Sequence, residues 1–280
     1  MGSVIFEKLK SYVFSSNPAL GARNISPDGS EFTVAMDDPI TVPHGVIDCT
    51  IDVIAASIWN VSPNISAAFG NNMFYFSQGG TPYVVTIADG LYSLPQLNSY
   101  LGRFFVNNGL QKNQIIFSGD DSTQKSIITF NYVGTQIDFT QANTIRSILG
   151  FNSQLVPNGG PSTIQGENYV SDNIATFNRI NFFYVTSNLV NSGLPLNGTP
   201  GNIIAQIPIT ATPGSQINYS PQNVISIAAR NLIGNSFQSV RMTLVDDQLR
   251  PVNTLGEYWS VTLHVHMQYL LSTSNLPILP

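Results

Sequence analysis

Residues 256–271 read GEYWSVTLHVHMQYLL, and the alternation within them decides the fold. In an extended strand successive side chains point to opposite faces. Trp259, Val261, Leu263, Val265, Met267 and Tyr269 therefore share one face, and Ser260, Thr262, His264, His266 and Gln268 share the other. A strand with one apolar and one polar face is buried on one side and solvated on the other. Each large apolar side chain removed from water stabilises by about 1.5–3 kcal/mol, so this run predicts a principal core strand. The two histidines fall on its polar face.

The preceding stretch, SFQSVRMTLVDD at 236–247, repeats the pattern, with Val240, Met242 and Leu244 opposite Ser239, Arg241 and Thr243. The connector DQLRPVNTLGE carries a proline and a glycine, so a short hairpin is expected to lay these two strands antiparallel. Further upstream, strands are expected from Glu31, with Phe32, Val34 and Met36 inward, and through VIDCTIDVIAASIW, with Asp48, Thr50 and Asp52 outward. Others are expected at 73–76, 83–87, 114–117, 126–132, 136–139, 179–187, 202–210 and 216–220. One segment breaks the rhythm. In YSLPQLNSYLGRFFVNNG, Ser93 can cap a helix, Pro95 suits its first turn and Gln96 stands where a capping box needs it. Leu94, Leu97, Leu101, Phe104 and Phe105 then form one helical stripe, closed by Asn107, Asn108 and Gly109.

About ten strands, one substantial helix and no strand–helix alternation predict a mainly β protein, a jelly-roll β-sandwich carrying a small inserted α+β subdomain. The insertion is expected at about 77–152 within a jelly-roll domain over 31–280. Residues 1–30, rich in turn formers from residue 15 onward, are expected to be an N-terminal arm.

Charged residues are 10% of the 280-residue chain and its formal net charge is −5, against about 25% charged in an average protein. A polar but weakly charged surface suits packing against other protein surfaces, and clustered cations for broad nucleic-acid binding are missing. Lys8 and Lys10 are the one close basic pair; with Phe6 they make the arm a candidate assembly element. The single cysteine, Cys49, allows no internal disulfide, and its place between Ile47, Ile51 and Val53 predicts a small buried hydrophobe. No apolar run approaches the roughly 18 residues that span a bilayer, and a soluble chain in a reducing compartment is expected.

Two histidines on one face, His264 and His266, could reach one metal ion if a third ligand such as His44 joined them. The chain after His266 reads MQYLLS, without a carboxylate, and the preferred reading is a polar sheet face or subunit interface with no metal bound. Asp37–Asp38, Asp120–Asp121 and Asp246–Asp247 could be read as catalytic carboxylate pairs, yet sequence neighbours in turns accept backbone hydrogen bonds instead. No nucleophile elbow is present. Neither catalytic residues nor a cofactor is assigned.

Four stretches taken in order, NNMFYFSQ, TIADGLYSLPQLNSYL, NTIRSILGF and VRMTLVDDQLRPVNTLGEYWSVTLHV, resemble the penton, or minor capsid, proteins of virophages, polinton-like viruses and Polinton/Maverick elements. The matching positions are Gly90 to Asn98, Asn143 to Phe151, and Leu244 to His264. The resemblance implies a jelly roll with an inserted subdomain, homopentamers at icosahedral vertices, and no catalysis. It further implies a virion protein made in host cytoplasm or a virus factory. Neighbouring major capsid protein and possible minor cement proteins would be its partners, without specific nucleic acid; membrane contact is left unassigned. Two alternatives stand beside it. A trimeric double jelly-roll major capsid protein would need about sixteen strands. A lectin or fibre domain would use aromatics such as Trp59, Tyr83 or Tyr92 against sugars.

Overall fold

A computed structural model of the chain describes residues 3–177, 180–198 and 201–272. It divides into two compact units, one of residues 1–61 with 180–280 and one of residues 62–179. The first unit opens with β1 (Ser3–Ser15), β2 (Ala22–Arg23), β3 (Glu31–Thr41) and β4 (Val46–Trp59). The second holds β5 (Met73–Gln78), β6 (Thr81–Thr86), α1 (Leu94–Asn107), β7 (Ile115–Asp120), β8 (Lys125–Phe130), β9 (Thr135–Asp138), α2 (Arg146–Leu149), β10 (Leu155–Val156) and β11 (Glu167–Val170). The chain then returns to the first unit through β12 (Phe182–Ser187), β13 (Ile203–Pro208), β14 (Gln216–Tyr219), β15 (Ser226–Ala228), β16 (Ser236–Val245) and β17 (Ser260–Ser272).

The first unit is two antiparallel five-stranded sheets, β1-β17-β4-β14 with β15 also on β4, and β13-β12-β16-β3-β2. With the short β2 set aside and β14 and β15 taken as one interrupted strand, eight strands pair first with last, second with seventh, third with sixth and fourth with fifth. Those pairs fall alternately in one sheet and the other, and β17 on β4 and β12 on β16 join them. A long antiparallel ribbon rolled in this way is a jelly roll. Its core is built as the alternation predicts. Val261, Leu263, Val265, Val240, Met242 and Leu244 are fully buried, and Trp259 meets Phe32 edge to face at 5.0 Å.

Two local expectations differ from what forms. β16 and β17 lie in opposite sheets, not in a hairpin. Asp246 accepts the Gln248 and Arg250 N–H groups, Val252 N–H donates back to Leu244, and Thr254 N–H donates to Asp28. The connector is thereby folded back against the end of β16 before it crosses. Likewise, residues 3–15 of the expected arm are a strand, in register with β17 from Ser3↔Ser272 to Ser15↔Ser260. Among the described side chains of β1 only Phe14 is fully buried, so the segment shows no clean alternation, and its partner lies more than two hundred residues away in the sequence. Residues 16–30 do turn, around the Asp28 carboxylate, which accepts Ser26 Oγ, Ser30 N and Ser30 Oγ.

The second unit extends beyond the expected 77–152 at both ends. Phe74 and Phe76 of β5 lie in its core, and β11 pairs with β8. Its sheets are β10-β9-β5-β6 and β11-β8-β7, too few strands for a second jelly roll. Leu97, Leu101 and Phe105 of α1 are buried among Phe74, Phe117, Ile128 and Ile137, and the Gln96 side chain accepts from Ser93 N at 2.9 Å, as the capping box requires.

Candidate functional site

On the outer face of the β1-β17-β4 sheet, register sets side chains in rows: Glu7, Gln268 and Asp48; Leu9, His266 and Thr50; Ser11, His264 and Asp52. The two imidazoles lie 6.0 Å apart at 64°, as a two-residue spacing on one strand dictates. They differ in partner. His266 Nε2 is 2.9 Å from Asp52 Oδ2 across the diagonal, and among the described residues His264 makes no such bond. Asp52, expected to face outward, is on that face but 8% exposed, and its Oδ1 has no hydrogen-bond partner among the described residues.

The third row aligns a serine, a histidine and an aspartate, the residue types of a nucleophilic triad. The carboxylate, however, bonds the other histidine, whose neighbour on β1 is Leu9 and offers no hydroxyl. His44 does not join the pair: it precedes β4, whereas Thr50, the register partner of His266, lies four residues into that strand, about 13 Å along at 3.3 Å per residue. It packs instead on the backbone of Gly234. Among the described residues no three His, Cys, Asp or Glu side chains converge to hold a metal ion.

The carboxylate pairs serve turns and edges. Asp120 accepts Ser122 Oγ, Thr123 Oγ1 and Ser122 N, and these bonds hold its pKa down at about 2. Asp246 pairs with Arg250 at 2.6 Å, and Asp247 accepts from Asn181. Asp37 and Asp38 lie within β3, beside an irregularity in its pairing with β16, instead of in a turn. Of the aromatics a lectin would use, Tyr83 lies in β6 and stacks on Phe76 at 4.9 Å, and Tyr92 donates its hydroxyl to Ala88 O, so both have internal roles. Cys49 is buried, and burial followed by the charge of Asp48 pushes its thiol up to about 11.

Phe6, Lys8 and Lys10 share the face of β1 that carries Tyr12 and Phe14, since all five alternate along one strand. The core covers only one end of that face: Phe14 is 1% exposed and Phe6 53%. Phe6 lies 6.3 Å from Tyr269. The opposite face shows Ile5, Leu9 and Val13 to solvent. Among the described residues β1 pairs with β17 on one side only, so a row of backbone donors and acceptors is open along its other side.

The segments that carry the sequence resemblance have structural work. Asn98 of α1 clamps Phe117, donating to its carbonyl at 2.7 Å and accepting its N–H at 2.8 Å. In NTIRSILGF the Asn143 carbonyl accepts from Met73 N, and Gly150 closes α2 at φ 79°. A Cβ at Gly150 would stand 2.3 Å from the Asn173 carbonyl. Sequence reasoning passed over Asp52 as an outward polar residue; the signal that marks it is its register opposite His264.

No protein-family profile matches the chain, and no curated protein matches it in sequence. Among solved structures it is similar to the crystal structure of the mavirus penton protein, at 12% identity and a TM-score of 0.47, covering 94% of this chain and 100% of that one. It is also similar to a chain in the cryo-EM structure of the Sputnik virophage, at 14% identity and a TM-score of 0.41, covering 94% and 97%.

Proposed function

We propose that the chain is a structural protein of an icosahedral virus shell, the penton or minor capsid protein that closes five-fold vertices as a homopentamer. One observation carries the reading. Three of the motifs that resemble that family in sequence lie in the second unit and the fourth runs from β16 into β17 of an eight-stranded jelly roll, with that unit inserted between its third and fourth strands, the architecture the resemblance implies. Motif residues such as Asn98 and Gly150 hold backbone in place, as a shell component needs. Five-fold rings join one flank of each subunit to the other flank of the next and close only when the rotation fits. Its partners are further copies of itself and the surrounding major capsid protein, with minor cement proteins as further candidates. It resides in the virion and is made in the host cytoplasm or a virus factory.

Native mass spectrometry of the purified chain tests this. A pentamer of 30.4 kDa chains, or a monomer that becomes pentameric only within assembled particles, is the expected result. A stable trimer overturns it.

A further inference from the structure

Sheet edges invite pairing with other chains, and proteins blunt them with short strands, proline, charge or bulges. Among the described residues, four of the five edges of the first unit are cut short or closed by proline. β14 and β15 have four and three residues with Pro221 between them. β13 ends on Pro208, β2 has two residues, and the stretch of β3 beyond it carries Asp37, Asp38, Pro39 and a pairing irregularity. β1 carries charge alone, in Glu7, Lys8 and Lys10. It runs thirteen residues without proline, glycine or a break in register, and shows Val4, Ile5, Phe6, Leu9 and Val13 at 48–69% exposure.

We infer that the free edge of β1 is a strand-addition site that takes an extended, alternating apolar and acidic segment from a different protein chain. Period-2 geometry sets the chemistry of that segment. One face meets Ile5, Leu9 and Val13, with Glu7 between them held by Gln268, and is mainly apolar. The other meets Lys8 and Lys10, which have no ion pair among the described residues, and is acidic.

A second copy fits poorly. Antiparallel self-pairing keeps like faces together, and registers centred on residue 8, 9 or 10 each set lysine opposite lysine, which is destabilising. The edges β13, β14 and β15 lie in a tract, 180–245, without a single aspartate or glutamate. Asp37 and Asp38 sit beside Pro39, which cannot donate to a ladder.

The probe is a ten-residue peptide alternating valine with glutamate, its control the valine–lysine peptide, each added to the full chain while amide hydrogen exchange and affinity are followed. The acidic peptide is expected to bind about tenfold or more tightly than the basic one and to protect amides within residues 4–13. In the double variant K8E/K10E the preference should reverse. Equal binding of both peptides, no binding, or protection confined elsewhere overturns the site. Protection of residues 4–13 by self-assembly without peptide also overturns it, because the occupant would then be a second copy. Selective binding by a chain that never forms pentamers supports the site even where the vertex reading has failed.

Discussion

His264 and His266 stand two residues apart on one strand face, yet their loss should be felt differently. His266 is the partner of a carboxylate that is almost wholly buried and already has one unpartnered oxygen. Removing it orphans the second, and a buried group left unsatisfied costs about 1–3 kcal/mol. His266→Ala is therefore expected to lower stability by that amount in urea denaturation, with Asp52→Asn/His266→Ala recovering part of it. His264 is half-buried but has no such partner among the described residues, and His264→Ala should stay within ~0.5 kcal/mol. Equal losses from the two single variants would refute the assignment. Cys49 offers a second residue-level check. Its thiol, raised to about 11 by burial, is almost entirely protonated at pH 8, and the thiolate is the nucleophile. Native protein should resist iodoacetamide at that pH and react only on unfolding; labelling of the native chain at the rate of an exposed thiol would count against this burial.

At the scale of elements, the turn after α2 depends on one glycine. Gly150 has φ 79°, and a Cβ there would press against the Asn173 carbonyl. Alanine meets both a left-handed backbone, about 1 kcal/mol or more, and a backbone clash that no rotamer relieves. Gly150→Ala should destabilise the second unit by about 2 kcal/mol or more, read as earlier loss of amide protection in residues 126–130 and 145–151 than in β17. Unchanged protection would show that the turn can re-form without glycine. The connector between β16 and β17 makes a related point. A proline and a glycine were visible in it, but not that Asp246 and Leu244 would gather its backbone bonds and send the chain to the other sheet. Turn residues mark where a chain bends, while the partner of the next strand decides where it goes.

For the whole molecule, β1 is the edge that completes a sheet. It pairs along all of β17 and inserts Phe14 into the core, so deleting residues 1–15 removes a buried phenylalanine and bares the edge of the strand beside it. Loss of a buried phenylalanine side chain alone costs about 3–5 kcal/mol, and an exposed long edge invites aggregation. The truncated chain is expected to unfold well below the full chain in a thermal melt and to aggregate. A truncated chain that melts with the full one would mean that β1 is dispensable, as a mobile arm would be.

Periodicity in the sequence by itself determined the inward faces of β16 and β17, the cap and stripe of α1, the burial of Cys49 and the mainly β class, because each depends on neighbours two to four residues apart. Tertiary structure alone decided which strands pair. β1 finds β17, and Asp52 finds His266, across more than two hundred residues, and nothing local encodes that meeting. The second unit likewise takes in Phe74, Phe76 and β11, since a core recruits whatever apolar surface the fold brings to it. Asp52 carries the reason in one residue: alternation assigned it to a solvated face, and only the strands beside it turned that position into a buried one.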